Sequence, residues 1–166
     1  ATAQAAPTGL DLTTDSGVSA TDNITNSATP TITGSAEAGI TVQLYDGDTL
    51  VGSATSDAST GVWSIASAAL ADGAHTLTAR TVDLAGNISA PSAPLVVTID
   101  RAAPGAPGAP VLDAASDTGV SDADKLTKDA TPTLTGSAEA GATVKLYDGA
   151  TLVGSGVANA DGVWTV

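Results

Sequence analysis

The chain repeats itself at a fixed spacing. The segment from Ala28 to Gly47 returns almost unchanged from Ala130 to Gly149, a shift of 102 residues. Between Leu10 and Ser53, about two thirds of the positions carry the same residue as their partner at that shift. A period of this length corresponds to a whole small domain and not to the short unit of a solenoid. The sequence therefore predicts tandem copies of one domain type.

The extent of the repeat predicts the domain organisation. The residues that match Ala66 to Asp100 have no second copy in the chain, so the second repeat is incomplete. Three proline residues at every third position, Pro104, Pro107 and Pro110, predict an extended and semi-rigid spacer between the copies. We predict a complete first repeat with a short leader, a linker and the first strands of a second repeat, at residues 1–103, 104–109 and 110–166.

Short alternating runs of apolar and polar residues predict an all-β chain. The clearest run is His75 to Val82, and Asp46-Gly47-Asp48 has the chemistry of a tight hairpin turn. About seven short strands with regular turn signals indicate an antiparallel β-sandwich. The strands are predicted at residues 10–13, 31–34, 41–45, 49–54, 62–65, 75–82 and 95–100, with a leader over 1–9 and a loop over 15–28.

The apolar core is expected to be poor in aromatic residues. Trp63 and its counterpart Trp164 are interpreted as core side chains, because no other aromatic residue lies nearby to form a sugar-stacking platform, which is the alternative. The other core residues that the alternation predicts for the first repeat are Ile32, Val42, Leu44, Leu77 and Val96.

The charge and composition exclude several classes of function. The net charge of −13 disfavours nucleic acid and anionic membrane surfaces as partners, and it is compatible with binding cations. The absence of cysteine excludes disulfides, thiolate metal sites and cysteine nucleophiles. No run of 18 apolar residues occurs, so we expect no membrane insertion.

The sequence contains no convincing catalytic constellation, and we predict that the protein is not an enzyme. His75 is the only histidine, has no second histidine or cysteine with which to share a metal, and is interpreted as a surface residue. No glycine-rich loop follows a strand and opens a helix, so phosphate binding is not expected. The carboxylates lie in turns and lack the aromatic groove that glycoside chemistry would use.

Several segments resemble the bacterial immunoglobulin-like repeats of giant surface adhesins, including biofilm-associated proteins and type 1-secreted adhesins. These segments are Thr29-Pro-Thr-Ile-Thr-Gly-Ser-Ala-Glu-Ala-Gly39, Gly61-Val-Trp-Ser64 and Val82-Asp-Leu-Ala-Gly-Asn-Ile-Ser89. The resemblance implies an immunoglobulin-like sandwich, an extracellular or cell-surface location, and calcium bound in loops and between neighbouring repeats. It also implies an extender role, in which the repeats carry a terminal adhesive domain away from the cell.

Candidate calcium ligands follow from the immunoglobulin-like fold. In such a sandwich the loop after the first strand lies at the same pole as the end of the last strand, which brings Asp15, Asp22 and Asp100 together. Glu139 of the second repeat is expected to face this group across the linker. Calcium binds six to eight oxygen atoms, and several converging carboxylates repel one another unless a cation lies between them.

A second group of candidates is expected at the opposite pole of the first repeat, where Glu37, Asp83 and Asn87 come together. In the second repeat, the residues that match the first loop are Asp117, Asp122 and Asp124. The alternative for all these residues is that they lie in turns because their side chains favour turns, and that they remain solvated.

Two other functions stay open at this point. A repeat that itself binds a glycan or a protein would use exposed aromatic residues, and Tyr45 and Tyr147 beside their turns are the candidates. An incomplete second repeat also offers open strand edges, which would allow self-association or a fibre built by strand exchange. The expected partners in the preferred interpretation are neighbouring repeats of the same protein.

Overall fold

The structure, a computed structural model, describes residues 4–17, 19–121 and 124–166. These residues form strands, turns and loops without a helix, as the all-β prediction required. Accordingly, no helix in this part of the chain is long and apolar enough to cross a membrane. The chain forms two units, one ending at Ala102 and the other beginning at Ala103.

The described residues of unit 1 form eight strands. Their bounds are β1 (Thr8–Leu12), β2 (Ile24–Thr25), β3 (Thr31–Ser35), β4 (Thr41–Asp46), β5 (Thr49–Thr55), β6 (Val62–Ala66), β7 (Gly73–Val82) and β8 (Leu95–Ile99). One sheet has the strand order β1-β3-β6 and the other has the order β2-β8-β7-β4-β5. All pairs are antiparallel except β2 and β8, which are parallel.

The apolar faces of the two sheets form one core, which confirms the predicted immunoglobulin-like sandwich. Trp63 is 2% exposed and is among the largest buried side chains of this core. The buried apolar residues are Leu12, Ile32, Val42, Leu44, Val51, Trp63, Ile65, Leu70, Leu77, Ala79, Val97 and Ile99. Removing this apolar surface from water is the main stabilising contribution to a domain that has no cysteine and therefore no disulfide.

The core prediction was wrong at Val96. Its side chain is 55% exposed, whereas the neighbouring Val97 is fully buried. Leu95, Val96 and Val97 are all apolar, so alternation alone does not decide which of them faces the core. The strand pairing decides it. Val97 lies opposite His75, and His75 faces the same side of the sheet as the buried Leu77, two positions further along β7.

The loop predicted over residues 15–28 contains a strand that the sequence did not indicate. Ile24 pairs with Thr98 and Thr25 pairs with Ile99, so β2 adds a short parallel edge to the larger sheet. The side chain of Thr25 is fully buried. A strand of two residues has no periodicity, and tertiary contacts alone specify it.

The leader predicted over residues 1–9 belongs to the fold from Gln4 onward. β1 begins at Thr8, and Pro7 is fully buried. The carbonyl oxygen of Ala5 accepts a hydrogen bond from the hydroxyl of Thr81 at 2.8 Å. The small and proline-containing composition that suggested a free leader instead suits close packing against the end of β7.

In unit 2, the part of the chain that the structure describes forms five strands, β9 (Val111–Leu112), β10 (Leu134–Ser137), β11 (Thr143–Asp148), β12 (Thr151–Val157) and β13 (Val163–Thr165). They form a sheet of order β13-β10-β9 and a separate hairpin of β11 and β12. Val144, Ala158 and Trp164 form its core. The β11–β12 hairpin has the same register as β4–β5, and its register shifts at the matching position, after Leu146 as after Leu44. This match is the structural counterpart of the sequence repeat.

Candidate metal sites

Several hydrogen bonds join the loop that follows β1 to β2 and to the residue after it. The hydroxyl of Thr25 donates a hydrogen bond to the carbonyl of Thr14 at 2.6 Å. The backbone N–H of Ser16 donates to the carbonyl of Ile24 at 3.3 Å, and the N–H of Asn26 donates to the hydroxyl of Ser16 at 2.9 Å. Because β2 pairs with β8, these bonds hold the loop beside the end of the last strand, as the pole argument predicted.

Asp15 of this loop has one satisfied and one unsatisfied carboxylate oxygen. Its Oδ2 accepts a hydrogen bond from the N–H of Asn23 at 3.1 Å, and Asn23 takes the left-handed conformation with φ of 59°. Its Oδ1 is buried and has no hydrogen-bond partner. A buried polar atom without a partner is rare in folded proteins because its desolvation is not compensated. This oxygen atom could therefore coordinate a cation or accept a hydrogen bond from a water molecule.

Unit 2 reproduces the arrangement at the position 102 residues later. Oδ2 of Asp117 accepts a hydrogen bond from the N–H of Lys125 at 3.1 Å, and Lys125 has φ of 61°. Oδ1 of Asp117 is again buried and has no partner. Asn23 and Lys125 differ in chemistry, so the shared geometry comes from the loop and not from the side chain at this position.

The other predicted ligands of this pole lie around the same short strand. Asp22 Oδ1 accepts from the N–H of Ile24 at 3.1 Å, and the N–H of Asp100 donates to the carbonyl of Thr25 at 2.9 Å. Asp15, Asp22 and Asp100 are thus brought to one end of unit 1. Across residues 4–17, 19–121 and 124–166, however, no three acidic or histidine side chains converge as a ready metal-binding group.

In unit 2, Asp124 resembles its counterpart Asp22. Its Oδ1 accepts a hydrogen bond from the N–H of Leu126 at 3.0 Å. Asp122 lies outside the described residues. Glu139 is exposed, and its Oε2 accepts from the N–H of Gly105 at 3.4 Å within the same unit. The predicted junction between Glu139 and the aspartates of unit 1 therefore stays a prediction.

At the opposite end of unit 1, Glu37 and Asp83 line one open cavity of about 390 Å³ together with Gln4. Gln4 Nε2 donates to Oε2 of Glu37 at 2.8 Å. Asp83 accepts three hydrogen bonds, from the N–H of Ala85 and from both the N–H and the side-chain amide of Asn87. The amide of Asn87 is the main cause of the lowered pKa of Asp83. Asn87 therefore acts here as a donor that orients Asp83.

The interpretation of His75 as a surface residue was wrong. Its side chain is only 15% exposed. Nδ1 lies 2.7 Å from Oδ2 of Asp46, and Nε2 lies 2.9 Å from the carbonyl oxygen of Ala71. Both partners accept hydrogen bonds, so the pKa of His75 is raised, first by the Ala71 carbonyl and then by Asp46. The alternation of β7 carried the signal, because His75 shares the phase of the buried Leu77 and Ala79.

The aromatic residues do not form a stacking platform. Trp63 and Trp164 are 2% and 1% exposed, which confirms that they are core residues. The hydroxyl of Tyr45 donates to Oε1 of Gln43 at 2.8 Å, and the guanidinium of Arg80 lies 6.0 Å from the Tyr45 ring centroid. Tyr147 on the β11–β12 hairpin is 54% exposed.

The sheet order, the shared core and the recurrence of the hairpin show that this chain consists of tandem domains of the immunoglobulin-like β-sandwich class. The profile of the family described as "Bacterial Ig-like domain" matches residues 2–101 and 105–166, and the chain belongs to this family. The family expected from the quoted segments is thereby confirmed. No curated protein matches the chain.

Among solved structures, one match is described as "Biofilm associated protein - BSP domain". It is 19% identical to this chain, with a TM-score of 0.34, and the match covers 86% of this chain. The chain spans 22% of the length of that protein.

Proposed function

We propose that this chain is an extender segment of a bacterial cell-surface or secreted adhesin, with a structural and non-catalytic role. Its domains would hold an adhesive region away from the cell and so support cell adhesion or biofilm formation. Membership of the bacterial immunoglobulin-like family and the tandem recurrence of one domain type support this proposal. Repeated sandwich domains gain length with each copy, which is the property that an extender needs.

We further propose that calcium stiffens the array at loops and at the junctions between repeats. The observation that carries this proposal is the buried carboxylate oxygen without a partner, which occurs at Asp15 and again at Asp117. Calcium prefers hard oxygen ligands from carboxylates and backbone carbonyls, and carboxylates are abundant in a chain of net charge −13. Further ligands would come from Asp22, Asp100 and Glu139 at the junction, and from Glu37 and Asp83 at the other pole.

The expected consequence of calcium binding is mechanical and thermodynamic. A cation between like-charged groups removes their repulsion and restricts bending at the linker. A ligand that binds only the folded state also raises the free energy of unfolding. Chelation should therefore soften the array and lower its melting temperature together.

Small-angle scattering with calcium and then with excess chelator tests this proposal. We expect a longer and less variable molecule in calcium, and a melting temperature that falls on chelation. The variant with both Asp15→Asn and Asp117→Asn should lose most of this response. A matched control with Asp48→Asn and Asp148→Asn removes the same charge from hairpin turns and should keep the response. An unchanged scattering profile and melting temperature in the parent chain would reject the calcium proposal.

A further inference from the structure

The segment that enters unit 2 before β9 is bonded to that unit at two points. The N–H of Gly105 donates to Oε2 of Glu139 at 3.4 Å. The N–H of Gly108 donates to the carbonyl of Ser137, the last residue of β10, at 2.7 Å. A Cβ atom at Gly108 would lie 2.5 Å from Oγ of Ser137, so the backbone of the segment passes very close to the end of this strand.

Unit 1 holds its own entering segment through the matching residue. Glu37 and Glu139 are the two glutamates of the chain, and they lie 102 residues apart in the turns before β4 and β11. Oε2 of Glu37 accepts a hydrogen bond from Nε2 of Gln4 at 2.8 Å. The donor is a side-chain amide in unit 1 and a backbone N–H in unit 2. The glutamate is therefore the common element, and in each unit it binds the few residues that precede the first strand.

The residues that leave unit 1 after β8 are also held by their own unit. The N–H of Ala102 donates to Oδ1 of Asp100 at 3.0 Å. Nε of Arg101 lies 2.6 Å from Oδ1 of Asp72, which comes directly before β7. Both side chains of this ion pair are about half exposed, so the pair is screened by salt and is weaker than a buried one.

Two residues lie between the part of the linker held by unit 1 and the part held by unit 2. They are Ala103 and Pro104, because the bonds of unit 1 extend to Ala102 and those of unit 2 begin at Gly105. The ring of Pro104 fixes its own φ, and it restricts the preceding Ala103 to extended conformations. Few backbone torsions are therefore left to rotate, and the number of free torsions sets how much a linker bends.

We infer that Glu37 and Glu139 position the segment that enters each repeat, and that bending of the linker is confined to Ala103 and Pro104. This inference deepens the proposed extender function and rests on it for its purpose, since an array keeps its direction only if its joints are short. The hydrogen bonds come from the protein alone and need no calcium. The positioning role and calcium stiffening can therefore fail separately.

Nuclear magnetic relaxation of the ¹⁵N-labelled full chain in excess chelator tests this inference. We expect order parameters of about 0.85 for the N–H groups of Ala102, Gly105 and Gly108, which is the value of rigid backbone. The N–H of Ala103 should fall below about 0.6, the range of flexible backbone. Low order over the whole of residues 101–109 would overturn the inference, and so would an Ala103 that is as rigid as its neighbours.

Variants of the glutamate test whether its acceptor oxygen positions the segment. Glu139→Ala should lower the order parameter of Gly105 into the flexible range, whereas Glu139→Gln keeps an acceptor oxygen and should retain most of the order. Asp161→Ala removes a carboxylate from an exposed turn of the same unit and should leave Gly105 unchanged. An unchanged Gly105 in Glu139→Ala would overturn the role of Glu139.

The corresponding variants of unit 1 are read in the same spectra. Glu37→Ala should raise the mobility of the side-chain amide of Gln4, and Asp72→Asn should raise that of Nε of Arg101 while Gly105 stays rigid. A Gln4 amide that keeps its order in Glu37→Ala would show that the glutamate does not hold the entering segment of unit 1, and would overturn the inference there.

These measurements also separate the inference from the calcium proposal. A rigid Gly105 in chelator, together with a scattering profile that does not respond to calcium, would support the positioning role while rejecting calcium stiffening. A flexible Gly105 in chelator would overturn the positioning role, even if calcium lengthens the molecule.

Discussion

Gly34 lies directly against the indole of Trp63, with no room for a side chain. A Cβ atom at residue 34 would lie 2.5 Å from Cζ2 and 2.8 Å from Cε2 of Trp63. Unit 2 has the same relationship, since a Cβ at Gly136 would lie 2.5 Å from Cζ2 of Trp164. The two residues face each other across β3 and β6, where Gly34 is the register partner of Trp63. The glycine is thus needed so that the sheet can accommodate a large ring.

Gly34→Ala is expected to destabilise unit 1 by about 1–3 kcal/mol, the usual cost of overpacking a core. The indole is rigid and buried, so it cannot move aside without displacing its neighbours. Urea unfolding monitored by tryptophan fluorescence measures the change. Gly105→Ala is the control, because a Cβ there meets nothing within 4 Å. An equal effect of the two substitutions would show that backbone entropy, and not the contact with Trp63, is responsible.

Ser92→Ala is expected to cost about 1–3 kcal/mol, the penalty for leaving a buried N–H group without a partner. The segment after β7 turns back beside it, and the hydroxyl of Ser92 accepts the N–H of Ala79 at 3.0 Å. Ser92 itself is only 8% exposed, so water does not easily replace the hydroxyl. Thermal and urea unfolding of the variant measure the loss. Ser64→Ala on the exposed face of β6 should change stability little, and a similar loss there would contradict this explanation.

The stability of unit 1 should decrease as the pH rises through the pKa of His75. In the folded state both ring nitrogens face acceptors, which raises the pKa above its ordinary value of 6.5. The stabilisation is therefore complete below pH 6.5 and is lost as the pH rises through the higher folded value. Urea unfolding at a series of pH values measures this loss. His75→Gln should flatten the profile in this range, and a variant that keeps the parent profile would assign the pH dependence to another group.

Asp57→Asn should be tolerated better than Asp57→Ala. Oδ1 of Asp57 accepts hydrogen bonds from the N–H groups of Ser59 and Thr60, and so closes the turn between β5 and β6. In unit 2 the same position is Asn159, whose Oδ1 accepts the N–H groups of Asp161 and Val163. An amide oxygen thus serves this turn in the second copy. Melting temperatures of the two variants provide the test, and equal losses would show that the charge of Asp57 is required.

The sequence predicted most of the fold because its strongest signals are local. Alternation located the strands of the β4–β5 hairpin, the Asp46-Gly47 pair marked its turn, and Gly47 indeed takes a left-handed φ of 56°. The burial of Trp63 followed from its size and its isolation from other aromatic residues. Each of these features depends on residues that are close in sequence or on the preference of one side chain.

The features that the sequence missed depend on contacts between distant segments. β2 consists of two residues that become a strand only against β8. Pro7 is buried in a segment whose Ala5 carbonyl is bonded by the distant Thr81. The candidate cation sites share this limitation. Sequence and fold class predicted the pole at which Asp15 lies, but the direction of each carboxylate oxygen depends on loop bonds such as that from Asn23.

The matching hairpins of the two units bear on how tandem copies avoid folding errors. β4 and β11 have nearly the same sequence, so β4 would find in β12 a partner almost as suitable as β5. The correct partner is joined by a two-residue turn, whereas the wrong one requires closing a loop about one repeat long. By the usual dependence of closure entropy on loop length, the local choice is favoured by about 3–4 kcal/mol. Each copy therefore selects its own strand through proximity, and neighbouring repeats need not diverge in sequence to fold independently.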